Sequence, residues 1–274
     1  MQHFTTSDGL SLAYVDQGQG PAVLCLAGLT RNHHDFDAVT AHLAGFRVIA
    51  MDYRGRGASD YAPDPMSYSV PVEARDALEL LDHLKISKAA IIGTSRGGLI
   101  GMMLAATARA RMLGVLLNDV GPDLNKDDLG RIVAYVGAKP PYRSLADAVA
   151  KMPAVLPGFD NISADRWARE IGHMFRETPD GLDILYDPHL RVSVEAAFNA
   201  PLPDLWPLFD ALSGLPTALI RGANSQLLTA ECAAQMCARR PDMLFANVPD
   251  RAHAPFLDEP ESLAVLNTFL EKIK

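Results

Sequence analysis

Gly93-Thr94-Ser95-Arg96-Gly97 constrains the fold of this chain more than any other stretch. It lies between Ala89-Ala90-Ile91-Ile92, which reads as a short buried strand, and Leu99 to Ala106, which reads as a close-packed helix of small residues. A chain passing from strand to helix so abruptly must turn sharply. A glycine two positions to either side of the serine leaves room for that turn. In this setting G-x-S-x-G is the pattern of a nucleophile elbow. The turn lifts Ser95 Oγ clear of the sheet and points the helix N-terminus at whatever the hydroxyl meets.

Strands and helices alternate around the elbow. Leu10 to Val15 alternates apolar and polar residues, and Gln17-Gly18-Gln19-Gly20-Pro21 reads as a turn. Ala22 to Leu26 and Arg47 to Met51 are near-continuous apolar runs, as expected of strands covered on both faces. Val70 to Leu84 carries helical spacing (Val72, Ala77, Leu80, Leu81, Leu84). Gly114 to Leu117, Thr217 to Ile220 and Met243 to Val248 read as further strands, and Pro260 to Ile273 as an amphipathic closing helix. The pattern predicts an α/β fold with a mostly parallel central sheet flanked by helices. The rhythm breaks between Pro122 and Leu205, where no strong strand stands among several prolines and short helical patterns such as Ala164 to Phe175. A structureless loop of that length is improbable in a compact domain, so the span is expected to be a helical cap insertion. The expected division is 1–121 and 206–274 as core and 122–205 as cap. The apolar residues of the span (Met152, Leu156, Phe159, Trp167, Ile171, Met174, Phe175) either cover a pocket or build a small core of their own.

Composition narrows the partners. With 49% hydrophobic and 21% charged residues, the 274-residue chain is expected to be a compact globule. A net charge of −8 speaks against nucleic acid or an anionic membrane. The N-terminus shows no basic region followed by an apolar run, and Arg96 interrupts the richest apolar stretch, so a cytoplasmic protein without a membrane span is expected. Cys25, Cys232 and Cys237 are unpatterned, consistent with reduced thiols. A monomer and a homodimer are equally compatible with the sequence.

Further motifs stand in a fixed order along the chain. Ala27-Gly28-Leu29-Thr30-Arg31-Asn32 follows one strand, and Asp52-Tyr53-Arg54-Gly55-Arg56-Gly57-Ala58-Ser59 follows the next. Leu117-Asn118-Asp119-Val120-Gly121-Pro122 leads into the predicted cap, and Ala252-His253-Ala254-Pro255 follows the last strand. Together with the elbow, these motifs resemble those of the α/β-hydrolase superfamily, in its capped, esterase- or lactonase-like branch, over nearly the whole length. The resemblance implies Ser95 as nucleophile and His253 as the base that takes its proton. It implies the backbone N–H groups of Arg96 and Leu29 as oxyanion donors. The Arg96 side chain is not needed for that role and is expected to face solvent or the pocket wall. Relatives with an aspartate nucleophile, such as haloalkane dehalogenases and epoxide hydrolases, are disfavoured by Ser95.

The third member of the triad departs from the pattern. Relatives usually carry an acid where Gln226 stands, in Arg221-Gly222-Ala223-Asn224-Ser225-Gln226-Leu227-Leu228. A neutral amide can accept a hydrogen bond from the imidazole but supplies no charge, and such a replacement costs about 10⁴-fold in kcat in a serine protease. Two readings stay open. Asp119 is the working acid, as in branches that place it after the neighbouring strand, or Asp119 only fastens its turn and Gln226 marks a weakened site. Adjacent His33 and His34 show no carboxylate or cysteine at ligand spacing, so no metal is expected. The expected activity is cofactor-free hydrolysis of a carboxylic ester or lactone of a small, largely apolar molecule. Alternatives are a C–C bond hydrolase of the same fold and a weakly active, receptor-like binding protein. No cluster of basic residues in 122–205 calls for a dicarboxylate.

Overall fold

The computed structural model describes residues 1–123 and 126–274. Residues 124 and 125, at the start of the predicted cap, lie outside the described residues. The strands are β1 (Gln2–Thr5), β2 (Ser11–Gly18), β3 (Ala22–Leu26), β4 (Arg47–Met51), β5 (Ala89–Thr94), β6 (Met112–Asn118), β7 (Phe175–Thr178), β8 (Gly181–Ile184), β9 (Thr217–Gly222) and β10 (Leu244–Val248). The helices are α1 (Asp37–Thr40), α2 (Val70–His83), α3 (Arg96–Thr107), α4 (Lys126–Tyr135), α5 (Leu145–Val155), α6 (Ala164–Gly172), α7 (Leu190–Asn199), α8 (Trp206–Asp210), α9 (Ala230–Arg239) and α10 (Pro260–Ile273). Eight strands form one sheet in the order β1-β2-β4-β3-β5-β6-β9-β10. The pairs β1/β2 and β2/β4 are antiparallel, and every other pair is parallel. The fold is α/β with a mostly parallel sheet, as the alternating pattern implies.

Successive side chains of β3 serve opposite faces. Leu24 and Leu26 join a core with Leu80 of α2, Ile100 of α3 and Met236 of α9. Val23 and Cys25 join a second core with Val39 of α1 and Phe269 of α10. Burial on both faces is what turns these strands into continuous apolar runs in the sequence. Among the described residues no helix is long and apolar enough to cross a membrane.

Two elements differ from the sequence reading. β1 was not expected: it pairs with β2, yet only Phe4 of its four residues is buried, too few for a periodic signal. The 122–205 span is expected to be a helical insertion without a strong strand; helices predominate in it, but the short strands β7 and β8 form an antiparallel hairpin within it. Pro179 and Asp180 make its loop, Gly181 takes a φ of 106°, and Thr178 Oγ1 donates to the Gly181 carbonyl at 2.7 Å. A Pro-Asp-Gly run between short strands is a turn signal. The span contributes its own cluster of Ala148, Met152, Trp167, Ile171 and Leu182. It also rests on the core: Gly57 N donates to Leu185 O at 2.9 Å, and Asp187 N to Gly55 O at 2.7 Å.

Candidate active site

The turn after β5 depends on its two glycines. A Cβ on Gly93 would lie 2.4 Å from the backbone of Gly97, and a Cβ on Gly97 would lie 2.0 Å from the Leu26 carbonyl oxygen. No side chain larger than hydrogen fits between strand and helix there. Ser95 between them holds φ 51° and ψ −111°, a conformation that L-residues adopt only when their surroundings impose it. Those surroundings include Ser95 N donating to Asn118 O at 2.9 Å and Gly97 N donating to Ala27 O at 3.1 Å. Arg96 is the first residue of α3, so its N–H has no acceptor within the helix.

Asp119, at the end of β6, is fully buried and also has a positive φ, 55°. Its N–H donates to Ile220 O of β9 at 2.7 Å. Its carboxylate gathers three partners. Oδ1 accepts from Gly222 N at 2.8 Å, and Oδ2 accepts from Ser225 Oγ at 2.6 Å and lies 2.7 Å from His253 Nδ1. The same carboxylate thus ties the end of β6 to the residues that follow β9 and meets the imidazole. Gln226, one residue beyond Ser225, is exposed and its Oε1 accepts from Arg131 Nη1. The histidine loop is itself anchored, because Asn118 Nδ2 donates to Pro255 O and to Thr94 Oγ1, each at 3.0 Å. Asn118 and Ser225 went unread in the sequence. Their partners lie far along the chain, and no local spacing marks them.

Buried charges tie the two predicted oxyanion residues together. Arg56 Nε donates to the Leu29 carbonyl at 2.9 Å, orienting the peptides of that loop. The guanidinium of Arg56 lies 2.8 Å from Glu73 Oε1, and Arg96 Nε donates to Glu73 Oε2 at 2.6 Å. The Arg96 side chain was expected at solvent or the pocket wall. Instead it is drawn inward to Glu73 and to the Tyr68 carbonyl, because a buried carboxylate requires cationic partners. Burial pushes the Glu73 carboxyl upward, and the Arg56 and Arg96 charges more than reverse this, leaving it below its ordinary value. Asp52 performs a similar service one loop away. Its Oδ1 lies 2.8 Å from both the N–H and the Nδ1 of His33, and its Oδ2 accepts from Ala58 N at 3.0 Å.

Ser95, His253, Leu29 and Gln226 line one cavity of about 800 Å³. Six of the seven apolar residues singled out between 122 and 205, all but Ile171, also line it, and these six pack in or against the local cluster as well. Covering the pocket and building a small core are one arrangement. The cavity also gathers Arg131, Lys139 and Arg166 from this span beside Arg31, a basic grouping the sequence reading did not find because the residues are dispersed. Arg31 Nε donates to Asp35 at 2.7 Å, and its Nη2 lies 3.4 Å from Glu170 of α6. One turn earlier on α6, Arg166 donates to Glu170 at 2.7 Å, pairs with Asp258 and lies over the Phe256 ring. α6 is therefore ion-paired at once to the loop of Leu29 and to the loop that follows His253.

His34 has a carboxylate nearby that the sequence reading overlooked. Its Nδ1 lies 2.7 Å from Asp37 Oδ2, and His173 brings a third ligand atom, all three within 4.8 Å of one another. The His34 and His173 rings are stacked at 4.8 Å and 19°. Near-parallel imidazoles direct their lone pairs side by side rather than toward a common point, and none of the three residues lines the cavity.

The comparisons agree with this architecture. The family model described as alpha/beta hydrolase fold matches residues 21–260. A 3-hydroxybutyrate-oligomer hydrolase of Cupriavidus necator is 36% identical over 94% of this chain and 92% of that protein. A 2-(acetamidomethylene)succinate hydrolase of Mesorhizobium japonicum is 26% identical over 96% of this chain and 92% of that protein. The crystal structure of an α/β hydrolase from Novosphingobium aromaticivorans superposes with a TM-score of 0.92 at 38% identity, covering 99% of this chain and 97% of that one. With its elbow, its strand order and these relatives, the chain belongs to the α/β-hydrolase fold family and is a hydrolase.

Proposed function

We propose that this hydrolase cleaves carboxylic esters of small hydroxy acids, including short oligoesters of the 3-hydroxybutyrate kind, through an acyl-enzyme on Ser95. The observation that carries this reading is the 2.7 Å contact between His253 Nδ1 and the buried Asp119 carboxylate, beside a serine held in an elbow. With Nδ1 donating to Asp119, Nε2 is left as the basic nitrogen. Ser95 Oγ attacks the ester carbonyl while Nε2 takes its proton, and the N–H groups of Leu29 and Arg96 receive the charge that develops on the carbonyl oxygen. The C–O bond to the alcohol then breaks, and His253 returns the proton to the leaving oxygen. Water, deprotonated by the same nitrogen, releases the acid and restores Ser95. Asp119 keeps the imidazole in this tautomer and balances the imidazolium. Residues 122–205 act as the cap that excludes bulk water from this site, and the chemistry assigned to these residues needs no cofactor.

The name of the Cupriavidus relative supplies the substrate class, and the apolar lining from Met152 to Phe175 favours an aliphatic chain over a highly charged one. A receptor-like protein without turnover has less support. Its ground is the missing charge at Gln226, and the Asp119 carboxylate 2.7 Å from His253 Nδ1 supplies one. The test is labelling with a fluorophosphonate probe alongside hydrolysis of the 3-hydroxybutyrate dimer. Covalent labelling lost in Ser95→Ala, together with release of free 3-hydroxybutyrate, is the expected result. Release that persists in Ser95→Ala overturns the mechanism.

A further inference from the structure

Large apolar side chains left in water are informative when they stand around an opening. Tyr135, at the end of α4, is 53% exposed and Val155, at the end of α5, is 64% exposed, and both belong to the cavity lining. They come from different helices of the 122–205 span. Pro141 and Pro157, also exposed and also on the lining, add rigid apolar surface beside them. The apolar wall that begins beside Ser95 therefore continues outward to the surface, with the exposed Arg131, Lys139 and Gln226 standing on the same lining.

Arg131 and Lys139 are cationic donors on this lining, Arg131 donating to Gln226 Oε1 and Lys139 Nζ to the Asp180 carbonyl at 3.1 Å. An oligoester of hydroxy acids has the complementary composition. Its repeating unit carries an alkyl branch and carbonyl and ester oxygens that only accept, and its free acid end is an anion.

We propose that Tyr135 and Val155 form a distal subsite that holds the units of an oligoester lying beyond the bond cleaved at Ser95, and so set a preference for longer chains. This rests on the oligoester reading of the site. Each additional unit laid on the rim removes apolar surface from water on both partners, a gain open only to substrates long enough to reach it.

The experiment measures kcat/KM for 3-hydroxybutyrate oligomers of two to five units, with the native chain and with Tyr135→Ser combined with Val155→Ser. The readout is the ratio of tetramer to dimer within each protein, so any general loss of activity cancels, and melting temperatures check the fold. A ratio of about ten in the native chain, falling toward one in the double variant, is the expected result. A native ratio near one overturns the subsite while leaving the oligoester reading in place, as does a high ratio that survives the double substitution. Hydrolysis of nitrophenyl acetate with none of any oligomer overturns the oligoester reading, and the subsite with it.

Discussion

β3, β5, β6 and β9 have no exposed residue anywhere along their lengths, and Leu29, Ser95 and Asp119 follow the ends of the first three. The 122–205 span is built differently. It buries a cluster centred on Trp167 and Ile171, leaves Tyr135 and Val155 in water, and meets the core through loop hydrogen bonds, the ion pairs of α6 and an apolar cluster in which Val136, Ile184 and Leu190 pack with Ala62 and Tyr68. Moving a strand end opens the close-packed core on both faces of the sheet, whereas moving the span disturbs one small cluster, loop hydrogen bonds and ion pairs. The two regions therefore bear on different quantities. Changes at the strand ends should reach the rate of bond cleavage, and changes in the span should reach which molecules enter.

The largest test of this division is Ser95→Ala, expected to lower kcat by about 10⁶-fold with the melting temperature little changed, measured on a nitrophenyl ester and by thermal unfolding. Next comes the acid. Asp119→Asn should lower kcat by about 10²–10⁴-fold, because the partner of the imidazolium loses its charge. Gln226→Asp should change kcat by less than about threefold, its contacts lying with Arg131 at the mouth. A gain of orders of magnitude from Gln226→Asp, with little loss in Asp119→Asn, would transfer the role to the loop after β9 and break the comparison at its centre.

Glu73→Gln tests the strand side through stability. Removing one partner from a buried cluster should cost about 3–5 kcal/mol in urea unfolding at neutral pH. The Glu73 carboxyl is held below its ordinary value of 4.5, so its contribution is present above that pH and fades as the pH falls through the folded value. The difference between native chain and variant should accordingly narrow in acid. A gap that stays constant down to pH 3 would mean that the arginines do not hold the charge. A small effect is expected on the other side of the comparison. Glu170→Gln weakens the partly buried pairing of α6 to Arg31 and should raise KM by no more than about fivefold with kcat preserved. A fall in kcat instead would show that α6 reaches the reacting atoms through the loop of Leu29.

How much of this was legible in the sequence follows from the range of each signal. The elbow was readable because its strand, turn and helix are contiguous, and the parallel strands were readable because burial on both faces leaves unbroken apolar runs. His253 and Asp119 were readable as candidates, but their 2.7 Å meeting joins residues 134 positions apart and has no local trace. Glu73 looks like an ordinary acid in the first turn of a helix, a favourable place for any carboxylate. Only its burial between Arg56 and Arg96 distinguishes it. The hairpin of β7 and β8 was signalled by its turn and was lost among the prolines around it.

The placement of Asp119 bears on how such a chain changes over generations. If the acid reaches the base from the end of β6, the loop after β9 need not carry a charge to it. Gly222, the last residue of β9, and Ser225 of that loop are the described residues there that touch the Asp119 carboxylate. Gln226 and Leu227 lie beyond them on the cavity lining. A segment bordering the substrate without serving the bond-breaking step can drift in residue and in length while the reaction continues. Lineages that keep the acid on β6 thereby hold a standing reserve of variation at the doorway, where a new substrate is first met.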